Sequence, residues 1–238
     1  IRKAKAYIAP TDFAGQTTQY IFRIQKKIKT IHYGLSLEQF QNNAPAEFEK
    51  GLILYIGTLI RKKGVLELPA IFEKVLQHHP QAQLVLIGGD SYDLQTQSPS
   101  TWALIQQKMP QILQNRIKYL GKVPYREIQA YIKKANVCIF PTFAETLGMV
   151  TIESMAMQKA VVNSNIGWAV ELIDDGVNGF LVHPQNHSLF AQRIIECISD
   201  VDLCLKIGSE ARLKVEQKFD IQQKVQENID FYLEVLQN

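Results

Sequence analysis

The chain of 238 residues is 46% hydrophobic and 21% charged, and its formal net charge is +3. These values are typical of a soluble globular protein with a sizeable core, in one large domain or in one domain with an appendage. No apolar run approaches the ~20 residues that span a bilayer, so we expect no transmembrane helix.

The first thirty residues are strongly basic. They contain one acidic residue, Asp12, and seven basic ones: Arg2, Lys3, Lys5, Arg23, Lys26, Lys27 and Lys29. This segment is either a solvated basic face or a contact patch for a membrane surface or another domain. We expect no nucleic-acid partner, because aromatic residues do not interleave with these charges and no nucleic-acid motif is present.

The three cysteines, Cys138, Cys197 and Cys204, have neither the spacing of metal ligands nor that of a disulfide framework. We therefore expect a reducing compartment, the cytoplasm. Peripheral contact with the inner face of a membrane stays open.

Short apolar runs alternate with helical patterns along most of the chain. Strands are predicted at residues 6–9, 28–32, 52–56, 83–87, 117–120, 137–140, 160–163 and 180–182. Helices are predicted at residues 14–25, 65–78, 102–113, 125–135, 148–158 and 170–174, and then at 187–199, 202–217 and 221–236. Runs such as LVLI and VCIF are continuously apolar, which is typical of strands covered on both faces. The order predicts an α/β fold, a doubly wound, Rossmann-like parallel sheet with helices on both faces.

Ligands of such sheets bind beyond the carboxyl ends of the strands, where loops lead into helices. The loop after strand 52–56 begins with Gly57 and Thr58 and continues to Arg61, Lys62 and Lys63 beside a predicted helix start. These residues predict either an anion site or a solvated basic turn.

Two further strand-end loops are less informative. Gly88 follows strand 83–87, where a glycine lets the backbone approach a neighbour or a ligand. The loop LGKVP ends at Pro124, and its exposed backbone at Val123 could pair with the edge of a flat base. Both patterns also occur in ordinary turns.

The most informative loop is ETLGMVTIE, from Glu145 to Glu153. If a helix begins near Gly148, the free amides of Gly148, Met149 and Val150 point out of its first turn and would bind a diphosphate. Carboxylates repel phosphate but accept hydrogen bonds from sugar hydroxyls, so each glutamate would bind a sugar. This geometry argues against a glycosidase pair, because eight helical residues span ~12 Å and such pairs need about 5–9.5 Å.

Together these motifs resemble the carboxyl-terminal, donor-binding half of a retaining GT-B glycosyltransferase of the GT4 family. The E-x7-E signature of that family is matched by Glu145 and Glu153. Further matches, in the same order as in the family, are the pair Lys63-Gly64 and the stretches LVLIGGD, YLGKVP and GWAVELIDDGVNGFLVHPQN. The resemblance covers about residues 28–219.

The resemblance implies three segments. Residues 1–34 would be a remnant of the amino-terminal domain with its connector. Residues 35–218 would be the nucleotide-sugar-binding domain, and residues 219–238 a C-terminal helix. The remainder of the amino-terminal domain, which binds the acceptor in this family, is expected to be missing, so this chain would bind the donor with little turnover.

The resemblance also implies a reaction. A sugar moves from a nucleotide-diphosphate donor, with UDP-glucose as the first guess, to a saccharide or lipid-linked acceptor in polysaccharide synthesis. The transfer retains the anomeric configuration and needs no metal and no other cofactor.

The implied site residues fall into two groups: Glu145, Lys63 and Arg61 would be catalytic, and the others would bind the donor. Lys63 and the amides of residues 148–150 would hold the diphosphate, Glu153 the ribose, Glu145 the transferred sugar and the Val123 backbone the base. The donor site would be completed by Gly57, Thr58, Gly88 and Leu147.

One position departs from the family. Thr58 stands where the family commonly has Arg, so either Arg61 reaches the phosphates instead or one phosphate contact is missing. The alternative function is a non-catalytic sugar-nucleotide-binding or interaction module, and an epimerase or phosphorylase on the same architecture is a third. Asp200-Val-Asp202 matches a D-x-D manganese pattern, but it lies between two helices, where Asp commonly caps a helix. We predict no metal site.

Overall fold

The computed structural model describes residues 4–26 and 28–237. Its strands are β1 (Tyr7–Ala9), β2 (Ile28–Thr30), β3 (Leu52–Ile56), β4 (Gln83–Ile87), β5 (Ile117–Tyr119), β6 (Val137–Phe140), β7 (Ala160–Asn163) and β8 (Phe180–Leu181). Its α-helices are α1 (Asp12–Phe22), α2 (Leu68–His78), α3 (Thr101–Gln107), α4 (Tyr125–Lys134), α5 (Met149–Ala156), α6 (Ala169–Leu172), α7 (His187–Ser199), α8 (Val201–Lys218) and α9 (Ile221–Gln237).

Six strands form one parallel sheet in the order β5-β4-β3-β6-β7-β8. The chain therefore builds outward from β3 in one direction and then returns to build outward from β6 in the other. The connections after β3 and β6 run in opposite directions along the sheet from this switch point, and ligands of doubly wound sheets bind in the crevice at such a point. The predicted doubly wound α/β fold is confirmed.

The strands bury side chains on both faces, which explains their continuous apolar runs. Ile53 and Tyr55 of β3 point into a core with α2, α3 and α7. Leu54 and Ile56 of the same strand point into a second core with α4, α5, α6 and α8. Because successive side chains of a strand alternate between faces, a strand covered on both sides has no polar position to spare.

Three predicted helices have different bounds in the structure. The helix predicted at 65–78 begins as a separate 3₁₀ turn at Val65–Glu67, and α2 follows with Pro69 in its first turn, where a proline is tolerated. The helix predicted at 102–113 ends at Gln107, shortly before Pro110. Helix α1 starts two residues early, because the Thr11 side chain accepts a hydrogen bond from the Ala14 amide and caps it.

The segment before residue 35 meets the end of the chain. The Leu35 amide donates to Phe219 O at 2.7 Å, and the Ile221 amide donates to Leu35 O at 3.1 Å. A Cβ on Gly34 would lie 2.5 Å from the Ile221 Cα, so only glycine permits this approach. The predicted boundaries near residues 34 and 218 lie at this contact, and the division into three segments stays a prediction.

Part of the basic segment faces α9. Lys5, Lys26 and Lys29 line a surface groove together with Phe231 and Val235. Arg2, Lys3 and Lys27 lie outside the described residues, and both interpretations of the segment stay predictions. Within residues 4–26 and 28–237, no helix has the length and apolar character required to cross a membrane.

Candidate functional site

The loops after β3 and β6 are packed against each other at the switch point. The loop after β3 forms a 3₁₀ turn at Arg61–Lys63, and Gly64 follows with a left-handed φ of 68°. A Cβ on Gly64 would lie 1.6 Å from the Pro141 carbonyl oxygen. The Phe143 amide donates to Lys62 O at 2.8 Å. A glycine is therefore required here for the two loops to touch.

This packing brings two predicted ligands together. The Lys63 ammonium group contacts the Glu145 carboxylate, and both side chains are about one-fifth exposed, at 20% and 22%. Burial lowers the pKa of Lys63, and the neighbouring charge of Lys62 lowers it further. Both residues also line a small cavity with Gly148 and Trp168. The result is one cation and one anion held side by side at the mouth of the crevice.

Helix α5 begins directly beside this pair. Gly148 is its N-cap with a left-handed φ of 87°, and no side chain caps the helix. Among the described residues, no acceptor receives a hydrogen bond from the amides of Gly148, Met149 or Val150. Free amides at a helix start, reinforced by the helix dipole, form an anion site. The three amides predicted to bind a diphosphate are thus free to donate, and their role in phosphate binding stays a prediction.

Glu153 lies further along α5 and is only 5% exposed. The Tyr125 hydroxyl donates to its Oε1 at 2.7 Å. Burial raises the pKa of Glu153, while the hydrogen bond from Tyr125 opposes that shift. Burial also raises the pKa of Tyr125 well above its ordinary value. The Glu153 carboxylate therefore accepts one hydrogen bond, from the protonated Tyr125 hydroxyl, and can accept others.

The loops after β4 and β5 are held together. The Gly88 amide donates to Gly121 O at 2.9 Å, and the Tyr119 hydroxyl donates to Gly88 O at 2.9 Å. A Cβ on Gly88 would lie 2.0 Å from Gly57 O, so this glycine sets the spacing of the loops after β3 and β4. Val123 follows at the start of α4, and its side chain packs on the second core.

The Arg61 guanidinium is held by Asp93. Its guanidinium donates two hydrogen bonds to the Asp93 carboxylate, Nε at 2.9 Å and the terminal nitrogen at 2.8 Å. These hydrogen bonds, and others from Thr96, lower the pKa of Asp93 well below its usual range. The structure therefore does not bring Arg61 together with residues 148–150, and its role in phosphate binding stays a prediction.

The remaining predicted residues are placed as follows. Thr58 is exposed, and its carbonyl accepts a hydrogen bond from the Tyr55 hydroxyl at 3.2 Å. Gly57 donates its amide to Ile87 O at 2.8 Å. Leu147 is 1% exposed and belongs to the second core. Its side chain holds the loop in place rather than facing the crevice.

Sequence reasoning missed the contacts that α1 makes with this region. The amides of Asp12 and Phe13, at the start of α1, both donate to the Glu171 carboxylate at 2.9 Å. The Thr11 hydroxyl donates to Thr146 O at 2.8 Å. The first segment is thus tied to the loop that carries Glu145. These pairs are more than 130 residues apart in the chain, so no local pattern indicates them.

The D-x-D pattern is a helix cap. The Asp200 side chain accepts a hydrogen bond from the Leu203 amide, at the start of α8. Across the part of the chain that the structure describes, no group of three or more His, Cys, Asp or Glu residues is placed to hold a metal ion.

Comparison with known families decides what kind of chain this is. The family model described as "Glycosyl transferases group 1" matches residues 38–214. The chain belongs to the group 1 glycosyl transferases. The predicted resemblance to a GT-B glycosyltransferase is therefore confirmed at the level of the family and the fold.

Several known proteins are similar to this chain. CapM of Staphylococcus aureus, a capsular polysaccharide biosynthesis glycosyltransferase, is 28% identical over 200 residues, which cover 79% of this chain and 50% of CapM. A sucrose-phosphate synthase structure from Thermosynechococcus elongatus superposes with a TM-score of 0.83 at 24% identity, covering 98% of this chain and 59% of that one. Anabaena Alr3699/HepE, solved with UDP and glucose, superposes with a TM-score of 0.79 at 23% identity, covering 97% and 63%. The chain thus spans about half the length of the curated relatives it matches.

Proposed function

We propose that this chain is the donor-binding half of a retaining glycosyltransferase that takes a nucleotide-diphosphate sugar, with a UDP-sugar as the first candidate. The observation that carries the proposal is the arrangement along α5. Free amides at its start stand between two carboxylates, Glu145 and Glu153, and the Lys63 ammonium group lies beside them. Amides and an ammonium group suit a diphosphate, and carboxylates suit sugar hydroxyls.

In this site the diphosphate occupies the start of α5 and takes Lys63 from Glu145. The freed Glu145 then accepts hydrogen bonds from the transferred sugar, and Glu153 accepts them from the ribose. Hydrogen-bond donors that point at the departing diphosphate stabilise its growing charge. In a closed site this stabilisation amounts to several kcal/mol, about 2.7–4 kcal/mol for one hydrogen-bond donor. The chain's own side chains and amides supply this charge stabilisation, so the proposed transfer uses no metal.

The donor and the setting are supported by relatives. Alr3699/HepE shares the fold and was solved with UDP and glucose, which supports a UDP-sugar. CapM is named for capsular polysaccharide biosynthesis, which supports a saccharide or lipid-linked acceptor in polysaccharide synthesis. Because the chain spans about half of such relatives, we propose that it binds the donor with little turnover by itself. The non-catalytic binding module remains the second candidate, favoured by Thr58 where the family commonly has Arg.

Calorimetric titration with UDP, GDP and ADP tests the proposal. We expect UDP to bind most tightly of the three. The affinity for its sugar conjugate should depend on Glu145. Folded protein that binds none of the three would refute the proposed function. A chain that binds the conjugate but transfers nothing when an acceptor and an amino-terminal domain are supplied would favour the binding module.

A further inference from the structure

A second groove is lined by Arg61 and Lys62 of the 3₁₀ turn, next to Lys63, which lines the α5 site. It has a volume of about 560 Å³, within the ~300–1,000 Å³ of typical small-molecule sites. Its walls come from three parts of the chain: the turn itself, the loop at residues 90–100, and Phe143 with Gln185. None of the contacts argued for the nucleotide sugar uses this groove.

The wall formed by the 90–100 loop is held in place. Asp93 is 2% exposed and binds the Arg61 guanidinium through both oxygens. It also accepts hydrogen bonds from the amide and hydroxyl of Thr96, at 3.0 and 2.7 Å. The Ser91 hydroxyl donates to Leu59 O at 3.1 Å. The groove is therefore formed before any ligand arrives.

The formal charges of the groove wall cancel, because it contains the cations Arg61 and Lys62 and the carboxylates Asp93 and Glu67. Arg61 is paired with Asp93, and Glu67 Oε2 lies 2.7 Å from His187 Nε2. A polyanion would find only the exposed Lys62 to bind, and a cation would find both carboxylates already engaged. The groove thus suits a ligand without a large net charge.

The surface that remains is aromatic and apolar with amides at its edge. Tyr92 is 45% exposed and Leu94 is 80% exposed, and Phe143 is half-buried. Gln95 and Gln185 stand at the rim. Sugar rings pack their C–H faces on aromatic rings and exchange hydrogen bonds with amides through their hydroxyls. A purely apolar chain would leave the rim amides unused.

The groove lies beside the proposed donor site, because Lys62 and Phe143 line the groove and Lys63 and Glu145 line the donor cavity. Phe143 precedes Glu145 by two residues, at most about 7 Å of extended chain, and its amide donates to Lys62 O at 2.8 Å. A ligand in the groove that touches Phe143 therefore lies close to Glu145. We propose that this groove binds a neutral saccharide chain of the acceptor, in addition to the acceptor contacts that the family resemblance assigns to the amino-terminal domain; this assignment rests on the proposed transferase function.

A glycan array of neutral oligosaccharides of two to six sugars tests this assignment on the whole chain, with UDP present. We expect wild type to bind at least one glycan, and Tyr92→Ala to weaken that binding at least about tenfold, as the loss of an aromatic contact does. The matched control is Tyr20→Ala, which removes an 86% exposed tyrosine from α1 and should change nothing. Gln95→Ala, at the rim, should also weaken binding.

Several outcomes overturn the assignment, and calorimetry with UDP separates them from failure of the proposed function. If UDP binds and no glycan does, or if glycan binding is insensitive to Tyr92→Ala and Gln95→Ala, the groove is not a saccharide site. If decanol competes with the bound glycan at the groove and binds more tightly than it, the groove belongs to an apolar chain. If UDP itself does not bind, the donor proposal fails first.

Discussion

Lys63 and Glu145 form an ion pair that bridges the loops after β3 and β6. A diphosphate at the start of α5 would draw on the same ammonium group that Glu145 now holds. In the free chain, these two side chains, which are both proposed to bind the nucleotide sugar, therefore contact each other. They must separate before the nucleotide sugar binds.

Separating the pair by mutation should favour the nucleotide. Glu145→Gln removes the competing charge, and a partly exposed ion pair contributes about 0.2–1 kcal/mol, so UDP should bind about 1.4- to fivefold more tightly. Any additional affinity for UDP-glucose over UDP should disappear in the same variant. Calorimetric titration with both ligands measures the two effects.

Removing the cation should have the opposite effect. A hydrogen bond to a charged group contributes about 1.5–3 kcal/mol, so Lys63→Ala should weaken UDP about tenfold or more. Lys62→Ala is the control, because Lys62 is exposed and its side chain lies outside the pair. Equal losses in both variants would show a diffuse basic field rather than a specific ligand.

Glu153 is expected to hold the ribose. Glu153→Gln should weaken UDP about tenfold or more, since a charged acceptor is replaced by a neutral one. The substitution should reduce the affinity for 2′-deoxy-UDP much less than the affinity for UDP, because 2′-deoxy-UDP lacks one of the proposed hydroxyl contacts. Glu127→Gln, on the exposed face of α4 with a side chain 51% exposed, is the matched control. Equal effects of Glu153→Gln on both nucleotides would rule out the ribose contact.

The contact of Tyr125 with Glu153 predicts a pH dependence of binding. Burial holds the pKa of Glu153 above its ordinary value of 4.5, and the protonated acid is a poor acceptor for ribose. UDP affinity should therefore fall as the pH drops through that raised pKa. Tyr125→Phe removes a hydrogen bond to the ionised form, so the fall should move to higher pH. Titrations from pH 4.5 to 8 measure the shift, and an unchanged profile would contradict the role of Tyr125.

The Glu153 carboxyl group also makes the free energy of unfolding depend on pH. Its folded-state pKa is raised, so its contribution to stability is fully present below 4.5 and is lost as the pH rises through the raised pKa. Urea unfolding should show this loss in wild type, and Glu153→Gln should remove it. A Glu153→Gln variant with the same pH dependence as wild type would show that other groups cause it.

Gly64 should be irreplaceable at the contact between the two loops. Gly64→Ala would place a Cβ 1.6 Å from Pro141 O, so either the loop moves or the chain loses more than about 3 kcal/mol of stability. Gly176→Ala is the matched control, because its φ of 73° is similar and its Cβ would meet nothing within 4 Å. That control should cost about 1–2 kcal/mol and leave UDP binding unchanged. Similar losses in both variants would show that backbone strain alone is responsible.

Arg61 and Asp93 should act as one structural unit. Arg61→Ala leaves the Asp93 carboxylate without its partner, and Asp93→Asn leaves the guanidinium without its own, so both variants should lower the melting temperature. We expect UDP affinity to stay within about twofold of wild type in both variants. If Arg61→Ala weakens UDP strongly and Asp93→Asn does not, Arg61 leaves Asp93 to bind phosphate, as the sequence predicts.

The sheet could be predicted from local pattern, because β3, β4 and β6 are short apolar runs that are each followed by glycine or proline. The start of α5 could be predicted as well, since Gly148 is the residue that a left-handed N-cap favours. The bounds of α2 and α3 were harder to predict. The apolar residues of the 3₁₀ turns near Pro69 and Pro110 continue the apolar pattern of the neighbouring helix, so the turns look like part of it.

The partners of the site residues could not be predicted. Lys63 and Glu145 are 82 positions apart, and Tyr125 and Glu153 are 28 apart. Tyr125 does follow a strand-end loop at the first position of α4, and that placement is the one signal that could have indicated it. Asp93 offered none, because it lies in a polar loop where one acidic residue resembles another.

The most direct test of the account is a crystal structure of this chain with UDP-glucose. The diphosphate should lie within hydrogen-bond distance of the amides of Gly148, Met149 and Val150, with Lys63 turned toward it. The ribose should contact Glu153, and the glucose should contact Glu145. A nucleotide bound away from the start of α5, or bound there with its ribose at Glu145, would contradict the account.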